Sequence, residues 1–421
     1  MISCRFCNTE LTHIFCDLGY QPPSNSFLTK KQLNEPETHY PLKVYVCDKC
    51  WLVQIPETKK ATDIFKDDYP YFSSQSPANV SHAKEYVDMM CERFKYGENS
   101  RILEIGSNDG YMLQWFKARG CSVLGIDPAI EPSQVANSRG IRTYPTFFST
   151  NIQWSGNSIE KLEYASYNFY KPKAEFDLIC SINTIAHQPD INDFVKGLKI
   201  ALKPNGITTH EFPYLMKLVD RLQFDTIYHE HYNYYSLSSI STIFKKYGLE
   251  IFDVEELPEH GGSLRIYAQH QGGLHETTSR FLNMLLDEYE TGIDTLEYYQ
   301  DFQDNIKLLC YEFLDFYNEH KKIDNLIIPY GAAAKCNTFF SFCNIKSNVI
   351  PFIIDRSPHK IGKYLPGSHI PVVDESILKE LQPAYVLITA WNLKEEIIEQ
   401  LSYIRDWGGR FVVAIPRLEV I

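Results

Sequence analysis

The sequence has 421 residues, is 44% hydrophobic and 14% aromatic, and carries a formal net charge of −12 at pH 7. This length predicts two or three domains with enough apolar residues for large cores. The acidic balance disfavours a broad nucleic-acid or anionic-membrane surface, and no signal peptide or membrane-spanning run is visible. Eleven cysteines, an odd number in a chain without such a signal, indicate a reducing compartment and hence a cytoplasmic enzyme.

The first motif is a pair of Cys-x-x-Cys sequences, Cys4 with Cys7 and Cys47 with Cys50. Each can place two thiolates on one side of a turn, and four thiolates in a tetrahedron suit Zn²⁺. We therefore predict a structural zinc in a ribbon-like module whose inserted loop spans residues 8–46. Four protein ligands leave no open metal position for catalysis. Two disulfides are the alternative, which a reducing compartment disfavours.

Residues 67–76 are rich in tyrosine and serine, which is typical of a binding loop, although packed aromatic loops are also common. An amphipathic helix is predicted at residues 79–94. The stretch 101–127 then predicts a buried parallel strand, a turn with two glycines, a helix and a second strand that ends in an acid. In a nucleotide-binding unit of this kind the turn approaches the ligand and the acid binds ribose hydroxyls.

The details of this turn disfavour NAD, because the fingerprint G-x-G-x-x-G is absent and acids lie around the glycines. Such surroundings suit a cationic nucleoside without phosphates, such as S-adenosylmethionine (SAM). The pattern E-x-G-x-x-x-G with an acid ending the next strand resembles the first motif of class I methyltransferases; an ordinary βαβ unit with a tight turn is the alternative. The residues that we assign to the cofactor here are Glu104, Gly106, Ser107, Asn108, Asp109, Gly110 and Asp127.

The next predicted strand, residues 176–181, is followed by Asn183 and His187. Because the carboxyl end of such a strand meets the cofactor crevice, we add both side chains to the candidate cofactor-binding residues. A helix is predicted at residues 190–202 and a turn at 203–206 before another strand.

Residues 224–235 concentrate tyrosines, histidines and a glutamate. If the segment is extended, Tyr228 and Glu230 share one face and His229 and His231 share the other, whereas a turn breaks this division. A His-x-His pair can bind metal, but no third ligand is evident; histidines without chemistry, in the core or in solvent, are a second alternative. We favour a general base supported by a neighbouring carboxylate, because imidazole titrates near neutral pH.

The C-terminal third contains an acidic helical region at residues 277–322 and a second strand-turn-helix-strand unit that begins at residue 326. Its turn, residues 330–335, lacks the glycines of the first unit, so we predict a binding or scaffold domain instead of a second SAM site. Arg265 and Lys335 are candidate contacts for an anion.

The paired cysteine motifs, E-I-G-S-N-D-G, Y-H-E-H-Y, H-G-G-S-L-R and Y-G-A-A-A-K resemble the nucleotide-sugar C-methyltransferases over nearly the whole chain. The resemblance implies an α/β protein with a zinc-binding domain at residues 1–78, a Rossmann-like class I SAM domain at 79–258 and a Rossmann-like α/β domain at 259–421. It also implies methylation at C-3 of a 4-keto-6-deoxy sugar, with thymidine diphosphate (dTDP) as the nucleotide and the substrate in a cleft between the domains.

The same resemblance implies the catalytic residues. His231 corresponds to the base that removes the C-3 proton, with Glu230 and Tyr228 as its neighbours. Tyr71 would approach the sugar from the other side, although Tyr69 is equally available by spacing. The ketone makes this proton removable, because the carbanion is delocalised as an enolate that then attacks the sulfonium methyl.

Arg265 or Lys335 is expected to hold the diphosphate of the substrate. Two other functions compete: a small-molecule O- or N-methyltransferase, whose acceptor heteroatom needs a base less, and a nucleotide-sugar- or RNA-binding protein with a vestigial SAM fold. Against RNA binding, the chain is acidic and no arginine- or lysine-rich stripe is present. We expect a monomer or weak oligomer without nucleic-acid or membrane partners.

Overall fold

The computed structural model describes residues 2–64, 71–155, 158–161 and 174–421. Residues 65–70, with Tyr69, lie outside the described residues, so the choice between Tyr69 and Tyr71 stays a prediction.

The strands are, in chain order, β1 (His13–Gln21), β2 (Tyr40–Val46), β3 (Val53–Gln54), β4 (Arg101–Ile105), β5 (Ser122–Ile126), β6 (Thr143–Tyr144), β7 (Ile152–Ser155), β8 (Ser158–Lys161), β9 (Phe176–Ile182), β10 (Leu202–Pro213), β11 (Asn233–Tyr234), β12 (Leu249–Leu257), β13 (Ser263–His270), β14 (Ile327–Tyr330), β15 (Ile353–Ile354), β16 (Val372–Val373), β17 (Tyr385–Ile388), β18 (Arg410–Val413) and β19 (Glu419–Val420). The helices are α1 (Ala61–Ile64), α2 (Pro77–Phe94), α3 (Leu113–Ala118), α4 (Ile130–Ser138), α5 (Ile191–Ala201), α6 (Leu215–Asp220), α7 (Leu237–Lys246), α8 (Ser279–Thr291), α9 (Phe302–Lys322), α10 (Ala334–Phe342), α11 (Ile377–Leu381) and α12 (Lys394–Gln400).

The N-terminal sheet has the strand order β1-β2-β3-β11, and its neighbouring strands are antiparallel. In β2 the apolar residues Leu42, Val44 and Val46 are buried and the residues between them are less so. This two-residue period is typical of a sheet that packs on one face. The fourth strand, β11, comes from the tyrosine-rich segment, so this segment is anchored in the N-terminal sheet.

The central sheet has the order β6-β5-β4-β9-β10-β13-β12 and is parallel except for β13, which runs antiparallel to both of its neighbours. The strand order reverses between β4 and β9. In an open α/β sheet, ligands bind outside the carboxyl ends of the strands at such a reversal. Gly106 directly follows β4 and Asn183 directly follows β9, so the predicted cofactor residues lie at this point.

The C-terminal sheet has the order β16-β15-β14-β17-β18-β19 and is parallel except for β19. Its order reverses between β14 and β17, as the central sheet does between β4 and β9. Helix α10, which carries Lys335 in its first turn, follows β14, and Trp391 follows β17. The predicted likeness of the two α/β units is therefore present in their strand order.

The sheets share hydrophobic cores. One cluster runs from Phe15 and Val44 in the N-terminal sheet, through Phe224 and Ile227 before the tyrosine-rich turn, to Phe339 in α10. A second cluster packs the cysteine knuckles against the central sheet. No helix in the described part of the chain has the length and apolarity needed to cross a bilayer.

The structure differs from one predicted element and adds details that the sequence did not indicate. Strand β13 pairs with β10 and β12 in the central sheet, so the β12–β13 hairpin spans residue 258, the predicted domain boundary. Residues 203–206, predicted as a turn, lie within β10, where the register with β9 shifts. Cys310 and Cys343 form a disulfide that the sequence did not indicate.

Candidate active site

In the glycine turn after β4, two glycines lie very close to side chains of other segments. Gly106 has a φ of +73°, and a Cβ atom there would lie 2.1 Å from Thr184 Oγ1. Gly110 has a φ of +79°, and its Cβ would lie 3.2 Å from the side chain of Ile141. Both positions therefore favour glycine, because the positive φ strains other residues and the space for a Cβ is already taken.

Unpaired polar atoms surround this turn. Both carboxyl oxygens of Glu104, Ser107 Oγ and Asp109 Oδ1 are buried without a hydrogen-bond partner among the described residues. Burial raises the pKa of Glu104 well above its usual value, and the nearby Asp127 and Asp109 add to the rise. Because buried polar groups are normally paired, these atoms indicate a ligand with hydrogen-bond donors and positive charge. A nucleoside with an ammonium and a sulfonium group fits them, whereas a diphosphate does not.

Asp127 holds the turn from the end of β5. Its Oδ2 accepts from the backbone N–H of Asn108 at 2.9 Å, and its Oδ1 accepts from that of Ala129 at 2.8 Å. Burial raises the pKa of Asp127 to about 6. Each carboxylate oxygen has a further lone pair, so Asp127 can fix the turn and still accept the hydroxyls of a ribose.

The loop that begins at Tyr71 is tied to this turn. Asn108 Nδ2 donates to the backbone oxygen of Tyr71 at 3.0 Å, and Asn108 Oδ1 accepts from the backbone N–H of Ser73 at 2.8 Å. The Tyr71 side chain is 48% exposed, and its hydroxyl accepts from Asn79 Nδ2 at 3.0 Å. The structure thus ties the predicted loop residue to the glycine turn through Asn108.

The tyrosine-rich segment turns sharply, so the extended alternative is wrong at this point. The backbone N–H of His231 donates to the backbone oxygen of Tyr228 at 2.9 Å. His231 Nδ1 donates to the backbone oxygen of Thr226 at 2.9 Å, which places the lone pair of the neutral ring on Nε2. The Tyr228 hydroxyl donates to Nε2 at 2.8 Å. Two side chains that an extended strand would separate are therefore in contact.

His231 is neutral in the folded protein. Burial lowers its pKa well below the usual value, and the neighbouring His187 lowers it further. The centroids of the two rings are 4.7 Å apart, and His187 Nδ1 donates to the backbone oxygen of Glu230 at 2.8 Å. A neutral imidazole with an oriented lone pair is the form that accepts a proton. His187, predicted among the cofactor residues, thus lies against His231.

Two further side chains complete this cluster. Glu230 Oε1 accepts from Asn25 Nδ2 at 2.8 Å, so a loop of the N-terminal module reaches the site. Asn183 has a φ of +52°, and its Nδ2 donates to His260 Nε2 at 2.8 Å. Asn183 Oδ1 is buried without a partner among the described residues, so it is an acceptor available to a ligand.

The His-x-His metal alternative is not supported. The ring of His229 packs against that of Tyr40, with centroids 5.9 Å apart, whereas His231 bonds Tyr228. Neither histidine belongs to a group of three or more clustered metal-ligand types among the described residues.

Arg265, a predicted substrate contact, is engaged by protein carboxylates. It is 6% exposed, and its guanidinium donates to Glu211 at 2.9 Å and to Glu255 at 3.2 Å. His82 contacts the same Glu211 and also Glu259, and these hydrogen bonds outweigh burial and raise its pKa to about 9. The positive charge of Arg265 is therefore already paired. The same charge disfavours a metal ion between His82, Glu211 and Glu259.

Lys335, the other predicted anion contact, is a half-buried cation. Its Nζ donates to Asn392 Oδ1 at 2.9 Å and lies 4.8 Å from the centroid of the Trp391 ring. Burial lowers the pKa of Lys335 to about 8, and the charge of Asp225 opposes this shift. Lys335 is therefore still protonated for the most part at neutral pH.

The four predicted zinc ligands lie together. Their sulfur atoms are all within 4.8 Å of one another, with Cys4 to Cys50 and Cys7 to Cys47 both at 3.5 Å. Four sulfurs about 2.3 Å from a common Zn²⁺ would be about 3.8 Å apart, so the cluster matches the size of a tetrahedral site. Gln54 Nε2 donates to Cys4 Sγ at 3.2 Å, a contact that stabilises a thiolate.

Three family models match the chain in order: a zinc binding domain at residues 4–65, a methyltransferase domain at 81–254 and a C-methyltransferase C-terminal domain at 258–416. C-methyltransferase NovU of Streptomyces niveus is 31% identical over 421 residues, which cover 99% of this chain and 96% of that protein. The chain belongs to the SAM-dependent C-methyltransferase family.

Other similarities of this C-methyltransferase cover only part of it. A ubiquinone biosynthesis O-methyltransferase of Rhodopseudomonas palustris (strain HaA2) is 24% identical over 139 residues, which are 31% of this chain and 49% of that protein. A crystal structure of a SAM-dependent methyltransferase from Mesorhizobium loti aligns with 45% of this chain and 100% of that one, at 14% identity and a TM-score of 0.36.

Family membership confirms the predicted class I SAM fold, the SAM cofactor and the zinc-binding domain of this C-methyltransferase. Sequence reasoning missed two residues of the cluster. Asn25, which holds Glu230, lies in a loop of turn-forming residues that carry no chemical motif of their own. His260, which holds Asn183, lies in the H-G-G-S-L-R motif, where the arginine was the more evident candidate.

Proposed function

We propose that this C-methyltransferase transfers the methyl group of SAM to C-3 of a nucleotide-linked 4-keto-6-deoxy sugar, through an enolate that His231 forms. One observation carries the proposal: a buried, neutral imidazole has its Nε2 lone pair oriented by the Nδ1 bond to Thr226. A sugar C–H is not a nucleophile, so methylation at carbon requires a base of this kind.

In the proposed reaction His231 takes the C-3 proton on Nε2. The electron pair of the C–H bond forms a C-3–C-4 double bond, and the carbonyl pair moves onto the ketone oxygen. Tyr228, whose hydroxyl bonds Nε2 in the free protein, gives up this position to the substrate. Glu230 and Tyr71 border the same space, one held by Asn25 and the other by the loop over the glycine turn.

Bound SAM would supply a methyl group on a cationic sulfur; the new C–CH3 bond would form as the S–CH3 bond breaks and the sulfur leaves as a neutral thioether. The chain orients this cofactor with the acidic turn: Glu104 and Asp109 offer unpaired oxygens to its donors, and Asp127 offers lone pairs to its ribose. Gly106 and Gly110 allow the turn to keep this shape, because a Cβ at either position would press against Thr184 or Ile141.

We extend the proposal to the substrate's carrier and setting. The C-terminal domain helps to bind a dTDP-linked sugar, and the product serves branched-deoxysugar biosynthesis in the cytoplasm. The family model for the C-terminal domain and the NovU match over the full length support a shared C-methyltransferase architecture. A screen of 4-keto sugar nucleotides with labelled SAM tests the choice of sugar and nucleotide.

The experiment that tests the base is deuterium washout from C-3. A 4-keto sugar nucleotide labelled at C-3 is incubated with wild type, His231→Ala and His229→Ala, and the loss of label to water is followed by NMR. We expect washout with wild type and with the control His229→Ala, whose imidazole packs against Tyr40. His231→Ala should lower the rate by about 100-fold or more. Washout that persists in His231→Ala would remove this residue from the base role.

An O- or N-methyltransferase acting on a small molecule is the second candidate, and the partial match to ubiquinone biosynthesis O-methyltransferases favours it. A heteroatom acceptor predicts methyl transfer without any C-3 exchange. If the chain were a binding protein with a vestigial SAM fold, neither methyl transfer nor C-3 exchange would occur. The unpaired polar atoms around the glycine turn argue against such a lost cofactor site.

A further inference from the structure

The C-terminal sheet has a strand-order reversal of its own, and Lys335 lies there. Lys335 is in the first turn of α10, which follows β14, while Trp391 and Asn392 follow β17. β14 and β17 are the two strands between which the order reverses. Ligands of open α/β sheets bind outside the carboxyl ends of the strands at this point. The C-terminal domain therefore presents a cation where such a fold presents ligand-binding groups.

The partners of Lys335 leave its charge available. Its Nζ donates to the neutral Asn392 Oδ1 at 2.9 Å and lies over the Trp391 ring. Asp225 is within electrostatic range, but no carboxylate of the described residues forms an ion pair with Nζ. Instead, Asp225 Oδ2 accepts from Trp391 Nε1 at 2.6 Å, and its Oδ1 is buried without a described partner. Arg265 differs in this respect, because its guanidinium forms ion pairs with two glutamates.

Lys335 is also close to the base. The Trp391 ring under Lys335 donates to Asp225 Oδ2 at 2.6 Å. The backbone oxygen of the next residue, Thr226, accepts from His231 Nδ1 at 2.9 Å. In keeping with this, the charge of Lys335 contributes to the lowered pKa of His231. The ammonium and the imidazole are therefore connected through residues 225 and 226, although they come from the C-terminal domain and from the tyrosine-rich segment. A cation beside a base stabilises negative charge that develops when the base takes a proton.

We propose that Lys335 is a catalytic residue that binds the ketone oxygen of the substrate and stabilises the enolate, instead of the diphosphate contact expected from the sequence. This inference rests on the proposed function. When His231 takes the C-3 proton, the electron pair ends on the C-4 oxygen, and it returns to the carbonyl when C-3 attacks the methyl. Lys335 keeps its proton throughout. The C-4 oxygen is two bonds from C-3, whereas the nearest phosphorus is four bonds away, so a cation beside the base fits the oxygen better.

The test separates deprotonation from diphosphate binding. Wild type, Lys335→Met and Lys335→Arg are compared for C-3 deuterium washout and for the Kd of the nucleoside diphosphate without sugar. Lys379→Met is the matched control, because Lys379 is in the same domain and its Nζ also lies over an aromatic ring, 5.1 Å from the Tyr403 centroid, but it is exposed. A thermal unfolding curve for each variant establishes that it is folded.

We expect Lys335→Met to lower the washout rate by about 100-fold or more while the nucleoside diphosphate Kd changes by less than about 3-fold. Lys335→Arg should retain part of the rate, and Lys379→Met should match wild type in both measurements. Unchanged washout in Lys335→Met, or a loss of diphosphate affinity as large as the loss of washout, overturns the inference. If wild type itself shows no washout from any 4-keto sugar nucleotide, the proposed function fails, and the inference fails with it.

Discussion

At the scale of single residues, position 231 illustrates how surroundings give a histidine its role. The Nδ1 bond to Thr226 fixes the tautomer, and burial with the neighbouring His187 keeps the ring neutral. The residue type alone offered three interpretations: a metal ligand, a histidine without chemistry and a base. The hydrogen bonds favour the base, because Nε2 holds the lone pair and Tyr228 already donates to it.

The Tyr228 hydroxyl should assist the base without being required for proton removal. Tyr228→Phe removes the donor to Nε2 but leaves the Nδ1 bond that orients the ring. We expect the washout rate to fall by about 10-fold, far less than in His231→Ala. Tyr235→Phe is the control, because its hydroxyl bonds the backbone oxygen of Ile185 at 3.3 Å instead of His231. A loss in Tyr228→Phe equal to that in His231→Ala would give the proton-transfer role to the hydroxyl.

The pH profile of washout should have two distant limbs. His231 acts unprotonated, and its pKa is lowered, so the rate should fall only at a pH well below 6.5. Lys335 acts protonated, so the rate should also fall as the pH rises through about 8. His260 and Asp225 face Lys335 too; burial raises the pKa of Asp225 to about 7, so it is ionised over the alkaline limb and favours the ammonium.

Lys335→Arg separates these assignments, because guanidinium stays charged at high pH. Its alkaline limb should move upward while the acidic limb stays in place. An acidic limb at or above pH 6.5, or an alkaline limb that Lys335→Arg does not move, is the result that contradicts the two roles.

At this scale the sequence indicated which residues to consider as site candidates more readily than which groups those residues contact. His231, Glu230 and Tyr228 were found together because they are adjacent in the chain, although the turn that joins Tyr228 to His231 was only one of two alternatives. The ion pairs of Arg265 could not be predicted, because its partners come from other strands. Glu211 is in β10 and Glu255 in β12, and strand register is not visible in residue types.

At the scale of elements, the turn after β4 was the best-predicted feature. Its glycines, acids and flanking strands are contiguous, so local pattern determines them. Strand β15 has only two residues, a length that an apolar run in the sequence does not reveal. The turn expected at residues 203–206 was absorbed into β10, because glycine and proline there mark a shift in register with β9.

The element scale predicts that Gly106→Ala will impair SAM binding. The new Cβ would lie 2.1 Å from Thr184 Oγ1 at a φ of +73°, so the turn must shift. Gly272→Ala is the matched control, because Gly272 has a φ of +75° with nothing within 4 Å. By calorimetry we expect the SAM Kd to rise at least about 10-fold in Gly106→Ala and to stay within about 2-fold of wild type in Gly272→Ala. Equal effects would mean that backbone strain alone, and not the close approach, controls the site.

At the scale of the whole molecule, the residues of the proposed site come from all three parts of the chain. Asn25 comes from the N-terminal module, Asn183 and His231 lie at the central domain, and Lys335 lies in the C-terminal domain. The hydrophobic core that joins the N-terminal and C-terminal sheets explains how these parts keep their positions. The sequence could suggest the three units, but not that β11 pairs with β3 or that β13 belongs to the central sheet.

Zinc should therefore support the substrate side of the site more than the cofactor side. Cys50→Ser removes a ligand of the four-sulfur cluster, while the glycine turn lies in another sheet. We expect about one zinc per chain in wild type and loss of it in the variant, with the KM for the sugar nucleotide raised more than the SAM Kd. Cys16→Ser, at a buried thiol outside the cluster, controls for loss of a cysteine. Wild type purified without zinc, or a variant that retains it, contradicts the assignment.

The most direct test of the account is the position of the transferred methyl group. The protein is incubated with SAM labelled with ¹³C in its methyl group and a dTDP-linked 4-keto-6-deoxy sugar, and the product is analysed by two-dimensional NMR. The account predicts that the labelled methyl is bonded to C-3, the carbon next to the ketone, and that His231→Ala forms none of this product. A labelled methyl bonded to oxygen or nitrogen would contradict it.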